Sequence, residues 1–183
     1  MSIFTSTHEK RLWLGVFVVT ATIYSTLFIS QPLAKLLSDQ NVHAAFFLLG
    51  MFLVGAAVVV HALKTKPSNI ELSVLLGIIA LYVMFFLRLG LPERSHLIEY
   101  SVLAIFIHKA LVERAIQGKK IPRPALYALI IAFSIGLLDE CIQIFLPNRV
   151  FDINDIYFNG IAVTMAIGST LVLSWLRKRF KRA

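Results

Sequence analysis

The side chains able to do chemistry gather in two stretches of the chain. In the first, Arg94-Ser95-His96-Leu97-Ile98-Glu99-Tyr100, the residues His96, Glu99 and Tyr100 stand at i, i+3 and i+4 and so share one face of a helix. The second, from Leu138 to Gly160, carries Asp139, Glu140, Gln143, Arg149, Asp152, Asp155 and Asn159. An imidazole among carboxylates is equipment for proton transfer. Asp139 and Glu140 are close enough to retain one proton between them, which makes one an acid and the other a base, and His96, paired with Glu99, can shuttle a proton. Arg149 can hold a phosphate or carboxylate through its planar fork. Tyr100, Gln143, Asp152, Asp155, Asn159 and Arg88 complete the candidates for gripping a substrate.

The same carboxylates, with Gln143 and Asn159, offer hard oxygen ligands of the kind magnesium or calcium takes, but no recognised ligand motif is present and the expectation is no cofactor and no metal. Zinc fits less well, with one histidine and no convergent cysteines. The lone Cys141 excludes an intrachain disulfide and reads as a packing residue. No Walker loop or dinucleotide fingerprint occurs.

These groups lie in a chain built for lipid. Of its 183 residues, 58% are hydrophobic and only 15% charged, more apolar than one soluble core can hide. The apolar residues fall in runs of about 20, the length a helix needs to cross about 30 Å of hydrocarbon. The runs are 12–30, 42–63, 71–90, 96–112, 125–146 and 155–176. They predict an all-α, polytopic bundle of about six transmembrane helices in a single membrane domain. The first run follows Lys10 and Arg11 but ends in Phe28-Ile29-Ser30-Gln31-Pro32, with no small-residue cleavage pattern, and reads as a retained helix.

Ionisable groups inside a membrane are expensive and by default mark a function or a necessary pair. In the fifth span, helical spacing makes Gln143 a neighbour of both Asp139 and Glu140, and Pro147 ends the helix. Asp155 is placed to cap the sixth span, with Asn159 one turn below, so a short hairpin brings both next to Gln143 and Arg149. Asp139 and Glu140 then sit about 10 Å below Pro147 along the axis, inside a leaflet. A purely structural arrangement would have Arg149 and Arg88 neutralise two acids, with Asp152 and Asp155 as turn and cap residues. That arrangement does not call for a histidine, a tyrosine, two amides and several acids at one depth.

The formal charge of +8 would suggest nucleic acid in a soluble protein. Here much of the excess is the tail Arg177, Lys178, Arg179, Lys181 and Arg182, directly after a span, where it faces anionic lipid and not nucleic acid. Of the 18 Lys and Arg residues, all but Lys35, Arg88, Arg94 and Arg149 fall on the side that holds both termini. The positive-inside rule therefore predicts cytoplasmic N and C termini, with the acid-rich pocket outside. The repeat Gly160, Thr164, Gly168 reads as a close-packing stripe on the sixth span. Aromatic residues such as Phe46, Phe47, Phe85, Phe86, Trp13 and Trp175 read as lipid-facing, core or interfacial.

With those residues in view, the sequence resembles the VanZ-like family of bacterial membrane proteins, over a motif region of about 88–170. The shared pattern is a histidine, a tyrosine four residues on and a leucine three beyond, matched by His96, Tyr100 and Leu103, then D-E-x-x-Q, matched by Asp139, Glu140 and Gln143. It continues through Pro147, Arg149, Asp155, Asn159, Gly160 and Gly168. One position departs: the family commonly has a basic residue three before the histidine, where this chain has Glu93, with the nearest base at Arg94. The resemblance implies a role in the cell envelope, since the founding member is associated with resistance to glycopeptides of the teicoplanin type.

Three functions follow from these residues, in order. The first is an enzyme that modifies a lipid-linked or glycan, peptidoglycan-related component at the outer leaflet of the cytoplasmic membrane. The second is a non-catalytic protein that grips a lipid headgroup. The third, an ion-coupled transporter, would want midplane acids and a broken helix, neither of which the sequence offers.

Overall fold

A computed structural model describes residues 4–37, 67–89, 91–147, 149 and 151–180. The described residues form five helices: α1 (Thr7–Leu37), α2 (Asn69–Arg88), α3 (Leu91–Ile116), α4 (Pro124–Gln143) and α5 (Ile153–Phe180). All five are long and apolar enough to cross a membrane, which makes the chain a multi-pass, all-α membrane protein. The predicted span 42–63 lies outside the described residues.

Each described helix overlaps one predicted run, and the ends move for local reasons. The first helix continues to Leu37, through most of the segment expected as a loop. The expected loop 91–95 is the first turn of α3, so His96 stands inside that helix and not at its start. Pro124 occupies the first position of α4, where its missing N–H costs nothing. That helix stops at Gln143, three residues short of the predicted end, in a tight turn in which Phe145 N bonds Ile142 O (3.0 Å) and Leu146 N bonds Gln143 O (3.1 Å). Asp139 and Glu140 consequently sit at the C-terminal end of α4.

The bundle is organised about α3, which packs against α1, α4 and α5, while α2 leans on α5. Tyr100, Leu103, Ala104, Ile107, Ala110 and Leu111, at the three-and-four spacing of one helical face, are buried against Ala128 and Ala132 of α4 and Ala162, Val163, Ala166 and Ile167 of α5. Alanines at these crossings let the helices approach closely. Large apolar side chains such as Leu14, Phe17, Phe28, Leu81, Met84, Phe145 and Trp175 face outward, as a lipid-embedded surface requires.

The close-packing role expected of Gly160, Thr164 and Gly168 falls mainly to those alanines. Thr164 is exposed and returns its hydroxyl to Gly160 O, and open space surrounds Gly168 among the described residues. Only Gly160 lies against a neighbour, with Phe133 at 3.3 Å from where a Cβ would be.

Two helices begin with the same device, and it joins them to others. Ser6 and Glu9 start α1, and Ser68 and Glu71 start α2; each serine hydroxyl accepts the backbone N–H of its glutamate, the geometry of an S-x-x-E cap. Both glutamates are buried and each meets an arginine from the last turn of an opposing helix. Glu9 lies 3.6 Å from Arg114 of α3. Glu71 Oε1 accepts from Arg177 Nε (3.1 Å) and Nη2 (2.7 Å) of α5. The starts of α1 and α2 are thereby tied to the ends of α3 and α5, which leaves the opposite ends of α3, α4 and α5 to form the second polar region.

Candidate functional site

That second region is built by the first turns of α3, the last turns of α4 and the first turns of α5. Tyr100 and His96, one turn apart on α3, stack with ring planes 9° apart and centroids 5.9 Å apart. The Tyr100 hydroxyl donates to Asp139 Oδ2 on α4 at 3.0 Å. On the neighbouring position of α4, Glu140 Oε1 accepts from Gln143 Nε2 at 2.8 Å, the i, i+3 contact the spacing predicted. Asn159, on α5, is wholly buried beside them, as are Tyr100 and Glu140.

The passage of these side chains depends on Gly136, one turn before the acids. A Cβ there would stand 3.0 Å from Tyr100 Cε1 and 3.1 Å from Asn159 Nδ2. Hydrogen alone at this position lets α3 and α5 deliver their polar residues to α4. Nothing in the sequence singled out Gly136, because the atoms it makes room for are 36 residues before it and 23 after it in the chain.

Several expected partnerships are redrawn. The carboxylate facing His96 is Asp155, with Nε2 at 3.7 Å from Oδ2, and not Glu99. Glu99 is half-buried and lies within electrostatic reach of His96, Asp139 and Arg149. The cap of α5 is Asp152, whose Oδ1 accepts Asn154 N at 2.8 Å and whose carbonyl accepts Asp155 N at 3.1 Å. Asp155 stands in the first turn instead, where the positive end of the helix dipole favours it. Asp152 is exposed. Arg149 reaches back to α1 and donates from Nη2 to Thr26 O at 3.1 Å. Arg88 is exposed in the last turn of α2, and no contact joins it to the cluster among the described residues.

Arg94, the base displaced by one position from the family pattern, turns away. Its Nε donates to Phe86 O and Leu89 O, both at 3.0 Å, and its guanidinium lies over the Phe86 ring. It thereby satisfies carbonyls that the end of α2 leaves without helical partners. The side chain of Glu93 lies outside what the structure describes.

The cluster is conspicuous for what its hydrogen bonds leave over. His96 Nδ1, Asp139 Oδ1, Glu140 Oε2, Arg149 Nε and both amide atoms of Asn159 are buried without a hydrogen-bond partner among the described residues. The backbone of Asp152 faces the Glu140 carboxylate but leaves Oε2 unpartnered. Buried polar atoms are ordinarily satisfied, and this many together mark the cluster as the candidate site. One ligand atom from each of His96, Asp139 and Glu140 falls within 4.8 Å of the others. Cys141, next in sequence, is exposed and takes no part.

A family model described as VanZ/LLP1 matches residues 12–174, well beyond the half of the chain that carries the motif. No curated protein and no solved structure matches the chain. With nearly the whole of its length covered, the chain belongs to the VanZ/LLP1 family.

Proposed function

We propose that this VanZ/LLP1 protein acts at the outer face of the bacterial cytoplasmic membrane, with both termini cytoplasmic, on a lipid-linked or peptidoglycan-related component of the cell envelope. The observation that carries this reading is the set of buried, unpartnered polar atoms of His96, Asp139, Glu140 and Asn159, gathered where α3, α4 and α5 meet. The basic tail that begins at Arg177 belongs to the other end of the bundle, so the positive-inside rule assigns the cluster to the outside. Its acid–base inventory suits proton transfer to or from a headgroup: Asp139 and Glu140 as the acid and base, His96 as the shuttle held by Asp155, and Glu99 supporting its charge. Tyr100, Gln143, Asp155 and Asn159 position the acids and the ligand, and Arg149 contributes positive charge for a phosphate or carboxylate.

A second reading, a non-catalytic grip on the same headgroup, is favoured by one feature. Each acid is already tethered through one oxygen, Asp139 by Tyr100 and Glu140 by Gln143, which fixes a receptor as well as it poises a proton. A link to glycopeptide resistance of the teicoplanin type would follow from either if the altered component is one that such antibiotics need.

The test compares envelope lipids and peptidoglycan fragments, by mass spectrometry, from cells carrying the wild type and Glu140→Gln. The enzyme reading expects a component whose mass changes only with the wild type. An unchanged profile sinks it. If the purified variant also binds the same headgroups with unchanged affinity, the receptor reading falls as well. A reporter fused after Ala183 should be active only in the cytoplasm, and activity outside would invert the topology.

A further inference from the structure

We infer that the cluster is a binding site for one divalent transition-metal ion of the manganese or zinc class, held by His96 Nδ1, Asp139 Oδ1 and Glu140 Oε2, with Asn159 Oδ1 as a fourth ligand. The inference rests on the reading of this cluster as the functional site and names what occupies it; with the ion bound, His96, Asp139 and Glu140 are deprotonated ligands and no longer the proton carriers.

The first argument is the pattern of satisfied and unsatisfied atoms. Each of the three residues has one polar atom directed to a protein partner and one left over: His96 Nε2 to Asp155, Asp139 Oδ2 to Tyr100, Glu140 Oε1 to Gln143. The leftover atoms are His96 Nδ1, Asp139 Oδ1 and Glu140 Oε2, in residues at least nine-tenths buried. Metal ligands are held in this way, by an outer partner that fixes the tautomer of a histidine or the orientation of a carboxylate. The Asp155 carboxylate 3.7 Å from Nε2 favours the tautomer that carries its proton there, which leaves Nδ1 with its lone pair.

The second argument is charge. Two buried carboxylates stand at the C-terminal end of α4, where the helix dipole is negative, and the last turn of that helix has no basic residue. Asp155 adds a third acid, and the guanidinium of Arg149 spends one of its arms on the α1 carbonyl. A small cation among the acids offsets a burial that is otherwise costly.

The third argument is geometry and ligand type. One ligand atom from each of His96, Asp139 and Glu140 lies within 4.8 Å of the others. Ligands about 2.1 Å from a shared ion stand at most about 4.2 Å apart, so a contraction of about half an ångström seats one. The sequence alone gives no cofactor, and its all-oxygen set would suit only magnesium or calcium. A convergent imidazole moves the preference toward metals that take nitrogen and oxygen together.

The experiment uses the full chain in detergent, stripped with a chelator and titrated with Mn2+, read by electron paramagnetic resonance and elemental analysis, with Zn2+ as competitor. The expected result is one Mn2+ per chain, displaced by Zn2+, with a nitrogen coupling in the spin-echo spectrum that His96→Ala abolishes. Asp155→Asn and Gln143→Leu, which leave all the ligands in place, should weaken binding about 10–100-fold. The inference is overturned if the stripped wild type takes up neither ion, or if uptake is unchanged in both His96→Ala and Glu140→Gln. Should a ligand variant fail to fold, the nitrogen coupling of the wild type and the two outer variants still decide. An envelope profile that depends on Glu140 in a protein that binds no metal would remove the ion and leave the proposed function standing; metal binding with no envelope effect would do the reverse.

Discussion

The Tyr100 hydroxyl on α3 and the Asp139 carboxylate on α4 meet at 3.0 Å in a region from which both are sealed, Tyr100 completely and Asp139 to within 1% exposure. The bond joins the two halves of the family motif, which lie 39 residues apart in the chain. Because only one oxygen of Asp139 is used, removing the hydroxyl leaves a buried carboxylate with no donor among the described residues.

Tyr100→Phe is therefore expected to cost about 1–3 kcal/mol, the penalty for a buried polar group that loses its partner. Thermal unfolding in detergent measures the loss. The same variant should weaken Mn2+ binding, since Asp139 loses the contact that orients it. A variant as stable as the wild type would show that Asp139 finds another donor.

Gly136→Ala adds a Cβ 3.0 Å from Tyr100 Cε1 and 3.1 Å from Asn159 Nδ2. Neither neighbour has room to withdraw, because both are fully buried between helices. Overpacking of this kind costs about 1–3 kcal/mol. The expected outcome is a lowered unfolding temperature together with a changed envelope profile, although the residue has no polar atom in its side chain. Gly168→Ala, with open space around it, should behave as the wild type in both assays.

Arg94→Ala separates the two uses of arginine near the site. Arg94 bonds Phe86 O and Leu89 O and makes no contact with the acids among the described residues, so its loss frays the end of α2 at a cost of about 1 kcal/mol. Metal uptake should persist. Abolition of binding by this variant, with stability unchanged, would mean that Arg94 belongs to the site.

At the opposite end, Glu71→Gln breaks the pair with Arg177 that holds α2 against α5. Glu71 is buried but the arginine side chain is 38% exposed, which places the expected loss between a surface pair and a buried one, at about 1–2 kcal/mol. Unfolding should become easier while the envelope profile stays as in the wild type. A changed profile with no loss of stability would make this end part of the function.

Run lengths and residue spacing determined that this protein crosses the membrane repeatedly, that His96 and Tyr100 share a face, and that Gln143 sits beside Glu140. All of these depend on one helix at a time, whose rise and period are fixed by the backbone. The two S-x-x-E starts were equally open to reading at Ser6 and Ser68, and their spacing is the signal that finds them. Only the tertiary structure decided which carboxylate faces His96, that Asp152 and not Asp155 caps α5, that Arg94 turns to α2, and that Gly136 opens the crossing. Each of those depends on how far one helix is rotated against the next. That rotation is set by the alanines and large side chains buried between α3, α4 and α5, a property no single segment of sequence contains.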